Sequence, residues 1–481
     1  MLCTGTTRYV AVLAMLCWAL EIGSSHPRFR RDTQGEPCSE RNDSLFLSQY
    51  VDSGDTQSAR TESIVSLFTV DYNIPDVHSG YITVNKSADT NLFFMLAKGQ
   101  GTLNNTTSPA PLLLWLQGGP GQTSLFGQFV EHGPLGLDSN GSFYRRNHTL
   151  GNLFDVLYLD EPVGAGYSFT RDLANGFAKT VEDMSRDIVA FLRQFLILFP
   201  EYHGRDLYVA GESYGSRPAL ATAYRLHQEP FTVNLTLKGV ISGVGFWSSI
   251  MEPLHVSSYF KALGLLDHNG YETFSERVSN MSTLVSQGKY LEALMLMAQT
   301  FWSSSNKSDP TLYQKLTGYE FDGNVLEPKV PPVFMRFKEL MINPVFKKAV
   351  HAGKERPFRS YDRYIHVNLL HDFFRDLTNM AIAVLNNYKV LVYVGQLDPT
   401  FALGRTEAFF RNLSWTGAEE FTSAHHKIWY INDDDTNSAG YVTRVRNFTY
   451  VTLSRVGHYP AFDQPQATME MFFRFVNDRF H

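Results

Sequence analysis

Apolar residues fall into two patterns along the chain. Short unbroken runs, LFFML at 92–96, PLLLWL at 111–116, DVLYL at 155–159, DLYVA at 206–210, LKGVIS at 237–242, VLVYV at 390–394 and YVTLS at 450–454, read as buried strands. Between them lie longer spaced patterns. From Phe177 to Phe199, apolar Val181, Met184, Ile188, Phe191, Leu192 and Phe195 recur every three or four residues, the period of an amphipathic helix, which Pro200 ends. SRPALATAYRLH at 216–227 reads as a second helix. Strands alternating with helices predict a mostly parallel sheet covered on both faces, an α/β architecture. The pattern changes over 247–343. There 284–301 reads as one Leu- and Met-rich helix, taken as core packing rather than a binding surface. No strong strand is seen, and Pro310, Pro328, Pro331 and Pro332 interrupt the rest. The expected organisation is a core of 63–246 and 344–481, a helical insertion at 247–343, and a polar flexible leader or propeptide at 26–62.

The chemistry sits where strands end. GESYG at 211–215 follows one predicted strand and opens a helix. Strand, sharp turn and helix around G-x-S-x-G make a nucleophile elbow, which exposes the Ser213 hydroxyl and offers the Tyr214 N–H to an oxyanion. QGGPG at 117–121 follows another strand and presents further backbone N–H groups. Asp398 and His458 lie in loops after two more strands. Alone, Asp398 reads as a turn cap and His458 as one of 15 histidines in a surface loop. Four blocks in this order instead predict an α/β-hydrolase fold carrying a Ser213–His458–Asp398 triad, in which His458 takes the serine proton and Asp398 orients the ring.

At these blocks the chain resembles the serine carboxypeptidase family. The matching segments are WLQGGPG (115–121), EHGP (131–134), LDEPVGAGYS (159–168), GESY (211–214), YVGQLD (393–398) and GH (457–458). The resemblance runs from about Ser79 to the C-terminus and points to the vitellogenic-like branch. It implies a helical cap over the active site and Gly119 N–H as second oxyanion donor. It also implies a site for the peptide's C-terminal carboxylate, made of Gln117, Gly118 N–H, Glu131 and Glu212. Two buried glutamates facing a carboxylate must share protons, so recognition is expected at acid pH. Three departures touch this site. Gln117 stands where most members have Asn, Gly215-Ser216 replaces Ala-Gly, and Tyr459-Pro460-Ala461 replaces Met-Val-Pro, which reshapes the pocket for the departing residue.

Composition and address complete the expectation. The 481 residues carry 43% hydrophobic and 19% charged positions and a net charge of −6, with no basic cluster for nucleic acid. The aromatic share of 14% is high. Residues 1–25 read as a signal peptide, with Arg8 before a short apolar run and small Gly23 and Ser25 before the cleavage point. Arg28, Arg30 and Arg31 read equally as a convertase site or a solvated linker. Asn42, Asn85, Asn104, Asn105, Asn140, Asn147, Asn234, Asn280, Asn306, Asn412 and Asn447 open N-glycosylation sequons. The expected destination is the secretory pathway, secreted or lysosomal, with no stable membrane anchor. Cys3 and Cys17 lie in the signal, leaving Cys38 alone as a free thiol or an interchain partner, so no intrachain disulfide of the kind most members carry is expected. No metal or cofactor motif is present; His425 and His426 are adjacent and would point apart on a strand. The expected function is a serine carboxypeptidase releasing single C-terminal residues from peptides and proteins. Its alternatives are an acyltransferase or esterase on the same triad and a non-catalytic binding protein; a homodimer is not deducible.

Overall fold

The structure is a computed structural model and describes residues 43–480, apart from 73, 100–108, 303, 305–307, 360–361, 402 and 433. The signal segment, the Arg28–Arg31 stretch, Cys38 and the sequons at Asn42, Asn104, Asn105 and Asn306 lie outside the described residues.

Twelve strands follow in chain order: β1 (Val77–Asn85), β2 (Thr90–Ala97), β3 (Leu112–Leu116), β4 (Leu135–Leu137), β5 (Phe143–Arg145), β6 (Asp155–Leu159), β7 (Asp206–Glu212), β8 (Thr236–Gly243), β9 (Lys389–Gly395), β10 (Lys427–Trp429), β11 (Gly440–Val445) and β12 (Phe448–Leu453). Ten form one sheet in the order β1-β2-β6-β3-β7-β8-β9-β12-β11-β10, and β4-β5 is a separate ribbon. The central run from β6 to β12 is parallel, and hairpin strands at both edges pair antiparallel. The α/β expectation holds, with antiparallel edges.

β3 shows why the strands read as unbroken apolar runs. Leu112, Leu114 and Leu116 enter the core on one face, Leu113 and Trp115 the core on the other. Successive side chains alternate, so a strand covered on both faces needs apolar residues throughout. The helix Val181–Leu198 covers the first face through its predicted apolar stripe, and Pro465–Val476 covers the second through Phe472 and Phe475.

Three local expectations change. The first helix begins at Val181 rather than Phe177, because Thr180 caps it: its hydroxyl accepts from Asp183 N–H at 3.2 Å and Asp183 bonds back to Thr180 N–H. The predicted 284–301 helix is two, His268–Ser286 and Tyr290–Thr300, broken at Gly288 with φ +72°. The described part of the polar leader is folded: Ser48–Ser53 and Thr56–Glu62 are helices, and Leu47 is fully buried. Leu47 N–H donates to Tyr81 O at 2.8 Å, and Tyr81 N–H to Leu45 O at 2.8 Å. The short LFL run at 45–47 thus covers the open edge of β1, a pairing that local composition does not signal. Among the described residues no helix is long and apolar enough to cross a membrane.

Candidate active site

Parallel pairing of β3 with β7 places the two glycine-rich turns side by side. Leu116 pairs with Gly211, so Gln117 and Gly118 emerge beside Glu212 and Ser213. The approach tolerates no side chain: a Cβ on Gly118 would lie 2.6 Å from Ser213 Cβ, and one on Gly211 would lie 2.0 Å from Gly215 O. Ser213 has φ +54°, the strained backbone that an elbow imposes on its nucleophile. Ser216 secures the turn. Its hydroxyl donates to Ser213 O at 2.8 Å and accepts from Phe246 N–H at 3.1 Å.

β9 and β12 are likewise parallel neighbours, and their following loops bring Asp398 to His458. His458 Nδ1 meets Asp398 Oδ2 at 2.8 Å, while Asp398 Oδ1 accepts from the N–H groups of Thr400 at 2.7 Å and Phe401 at 3.2 Å. With Nδ1–H on the carboxylate, Nε2 keeps the lone pair a general base needs. Burial disfavours the imidazolium, but the Asp398 charge and hydrogen bond outweigh it and raise the His458 pKa above its ordinary value.

Both loops are stitched to one segment of the insertion, 322–325. His458 N–H donates to Gly323 O at 2.6 Å, Thr400 Oγ1 to Asp322 O at 3.0 Å, and Val325 N–H to Leu397 O at 3.1 Å. Asn324 Nδ2 and Gly457 N–H converge on Asp463 Oδ2 at 2.9 and 2.7 Å.

Beneath the cavity floor lies a carboxyl pair bridged by an amide. Gln117 Nε2 donates to Glu212 Oε1 at 2.7 Å and to Glu131 Oε1 at 3.2 Å. Trp115 Nε1, which only donates, occupies Gln117 Oε1 at 2.9 Å and so fixes which way the amide faces. Both glutamates are buried, their Oε2 atoms have no donor among the described residues, and the two carboxyls lie within hydrogen-bond reach of each other. Only a shared proton satisfies that contact. Burial raises both pKa values, and the Glu131 charge raises that of Glu212 further. Glu131 sits on a single π-helical turn, Gly127–Glu131, closed by His132 N–H to Gly127 O at 2.8 Å. Arg146 staples that turn. Its buried guanidinium donates to the carbonyls of Gln128 (3.1 Å), Gly133 (3.0 Å), Leu135 (3.1 Å) and Phe129 (2.7 Å).

Ser213, His458, Gln117, Gly118, Gly119, Tyr214 and Glu212 all line one cavity of about 380 Å³. Asp398 and Glu131 lie behind it, touching His458 and Gln117. One wall packs Phe126, Phe321, Phe334, Phe337 and Tyr459, with Tyr459 5.1 Å from Phe334 and 5.3 Å from Phe126 between ring centroids. The other includes Phe246, Phe373, Leu294, Ala298 and Trp302. The Met-rich helix, expected only as core, thus also faces the cavity through Leu294 and Ala298. Three contributors went unrecognised in the sequence: Trp115, Arg146 and segment 322–325. Arg146, between Arg145 and Asn147, carries no local signal, and the segment has only a glycine before Asn324.

Of the sequons within the described residues, Asn140, Asn147, Asn234, Asn280, Asn412 and Asn447 are exposed and Asn85 is half-buried. Among the described residues no group of three or more His, Cys, Asp and Glu is placed to hold a metal ion.

A parallel sheet with antiparallel edges, a serine on a strained turn after β7, and an Asp–His pair on the loops after β9 and β12 define an α/β-hydrolase. Residues 72–478 match the family "Serine carboxypeptidase", Peptidase S10, and the chain belongs to it. It is 32% identical to the venom serine carboxypeptidase of Apis mellifera over 90% of this chain and 91% of that one. It is also 32% identical to the probable serine carboxypeptidase CPVL of Homo sapiens (93% and 92% covered), and 30% to the vitellogenic carboxypeptidase of Aedes aegypti (95% and 93%). The fold matches the crystal structure of Kex1(Δ)p, a prohormone-processing carboxypeptidase from Saccharomyces cerevisiae, with a TM-score of 0.70 at 20% identity, covering 87% of this chain and 96% of that one. The chain is a serine hydrolase of the carboxypeptidase type, related at moderate identity to the vitellogenic-like branch.

Proposed function

We propose that the chain removes single residues from free peptide C-termini at acid pH, through an acyl-enzyme on Ser213. The observation that carries this reading is the Glu131–Glu212 pair, bridged by Gln117 beside the elbow. A carboxyl pair sharing a proton offers a donor rather than a second negative charge. The peptide's terminal carboxylate then inserts into this network, receiving the pair's proton and the Gln117 amide hydrogen that otherwise makes the longer contact to Glu131, beside Gly118 N–H.

From that anchor the scissile carbonyl meets Ser213. His458 Nε2 takes the hydroxyl proton as Oγ bonds to the carbonyl carbon, and the N–H groups of Gly119 and Tyr214 receive the oxyanion. His458 returns the proton to the leaving nitrogen, which departs as a free amino acid. Water, activated by the same imidazole, hydrolyses the ester. The pair argues for a peptide carboxylate over the ester donor of an esterase or acyltransferase on the same triad. The exposed sequons support passage through the secretory pathway as part of the same proposal.

The test is incubation with mixed peptides at several pH values, read by mass. Loss of one C-terminal residue at a time, favouring free-acid over amidated peptides at acid pH, is the expected result. Internal cleavage, or equal trimming of amidated peptides, overturns the reading.

A further inference from the structure

The wall beside the carboxyl pair ends in a cation with no ion-pair partner among the described residues. The helix Pro332–Ile342 turns Phe334, Phe337 and Lys338 into the cavity, spaced by three and four residues and so on one helical face. Phe334 and Phe337 pack edge-on to Phe126, at 5.0 and 5.3 Å between ring centroids. Lys338 is half-buried, and among the described residues no carboxylate lies within ion-pair distance of it. Burial alone lowers its pKa, with no carboxylate acting against that shift. Of the cavity's two lining acids, Glu212 bonds Gln117, and among the described residues neither it nor Asp322 lies within ion-pair distance of Lys338. His366, another liner, carries a pKa lowered to about 4 by burial, and neither it nor His458 supplies a negative charge.

This arm lies on the leaving-group side. Phe126 directly precedes the turn that carries Glu131, and Tyr459 follows His458 and lies in the fields of Glu212 and Glu131. The opposite wall, by contrast, gathers around Tyr214. A side chain entering the arm passes between aromatic rings and meets an ammonium that has lost part of its water and gained no partner. An apolar or basic side chain leaves that ammonium uncompensated; one with methylenes ending in a carboxylate satisfies both the rings and the charge.

We propose that this arm takes the side chain of the departing residue and that Lys338 selects for an acidic one, so that the preferred substrates are peptides ending in glutamate or aspartate. The proposal rests on the carboxypeptidase reading above and adds the class of residue released. Lys338 acts on specificity and takes no part in the chemical step.

The experiment compares kcat/KM for peptides identical except for a C-terminal Glu or Gln, two residues of one shape, at a pH above about 4.3 where the Glu side chain is ionised. The wild type should favour Glu by about tenfold, as for a partly buried ion pair. Lys338→Met should bring the ratio near one with little change for Gln, and Lys338→Arg should restore most of it. Equal trimming of both peptides by the wild type overturns the proposal while leaving the carboxypeptidase reading intact. A Glu preference that persists in Lys338→Met overturns the assignment to Lys338. A KM rise for Glu and Gln peptides alike in that variant places Lys338 on the terminal carboxylate and equally overturns it. Absence of trimming of any free-acid peptide fails the carboxypeptidase reading, and this inference with it.

Discussion

Gln117 donates to Glu212 across 2.7 Å, and its oxygen is held by the Trp115 indole, so the amide hydrogens face the carboxyl pair and cannot turn away. The Gln117 side chain is long enough to bridge both glutamates.

The first prediction is that substrate affinity titrates with this pair. Burial raises both of its pKa values, and the Glu131 charge raises that of Glu212 further, so the proton is present at acid pH and is lost as pH rises through the raised values. KM for free-acid peptides should be low in acid and climb with pH by about tenfold to a hundredfold, the worth of a hydrogen bond to a charged group. Amidated peptides should show little of this rise. Glu212→Gln keeps a donor without the titration and should flatten the free-acid curve. kcat runs the other way, because His458, with its pKa raised, becomes the neutral base only as pH climbs. Parallel KM curves for acid and amide peptides in the wild type would sink carboxylate recognition by the pair.

The second prediction concerns the nucleophile. A fluorophosphonate should label Ser213, and Ser213→Ala should abolish labelling and lower turnover by about 10⁴-fold or more. Near-normal hydrolysis by the alanine variant would show that another residue attacks.

Which parts of this site are legible in the sequence follows from how local they are. Ser213, Asp398 and His458 each directly follow an apolar run that marks a buried strand, and the chain order of those runs specifies how their ends meet. The carboxylate residues rest on a family resemblance, not on any local pattern. Arg146 was invisible because its partners are four backbone carbonyls, which no residue type announces. Segment 322–325 holds the catalytic loops through backbone groups more than 70 residues away, as in the Thr400–Asp322 bond. The 45–47 run is apolar for too short a stretch to stand out, and its burial depends on a distant strand edge.

The third prediction assigns Arg146 a positioning role. It bonds the carbonyls of the turn that presents Glu131 but lies off the cavity. Arg146→Met should release that turn and raise KM for free-acid peptides several-fold or more. The variant should keep fluorophosphonate labelling of Ser213 and its rate on amidated or ester substrates. Equal losses on every substrate would instead mean that the residue only supports the fold.

The last prediction uses Glu161, a buried carboxyl that the proposed chemistry does not employ. Both of its oxygens lack a partner among the described residues. Burial, and then the nearby charge of Asp187, push its pKa well above the ordinary 4.5. The folded state therefore keeps a proton that the unfolded chain releases above that value. The sign follows from linkage: where the folded state binds more protons, stability falls as pH rises, from about 4.5 upward. Asp160, raised to about 7, and Asp187 and Asp463, raised to about 6, act in the same direction. His78 and His366, lowered to about 4, act oppositely, costing stability as pH falls below 6.5. The wild-type curve mixes these contributions, but the difference between Glu161→Gln and wild type isolates one group. Glutamine cannot ionise, so the variant should match wild type in acid and gain on it as pH rises. Each pH unit between about 4.5 and the raised pKa adds about 1.36 kcal/mol, so by neutral pH the gain should approach about 3 kcal/mol, or a few degrees in Tm. Thermal unfolding of both proteins between about pH 4 and pH 7.5, the window set by these shifts, measures it. A Tm difference that stays constant across that range would mean that Glu161 is not held protonated by the fold.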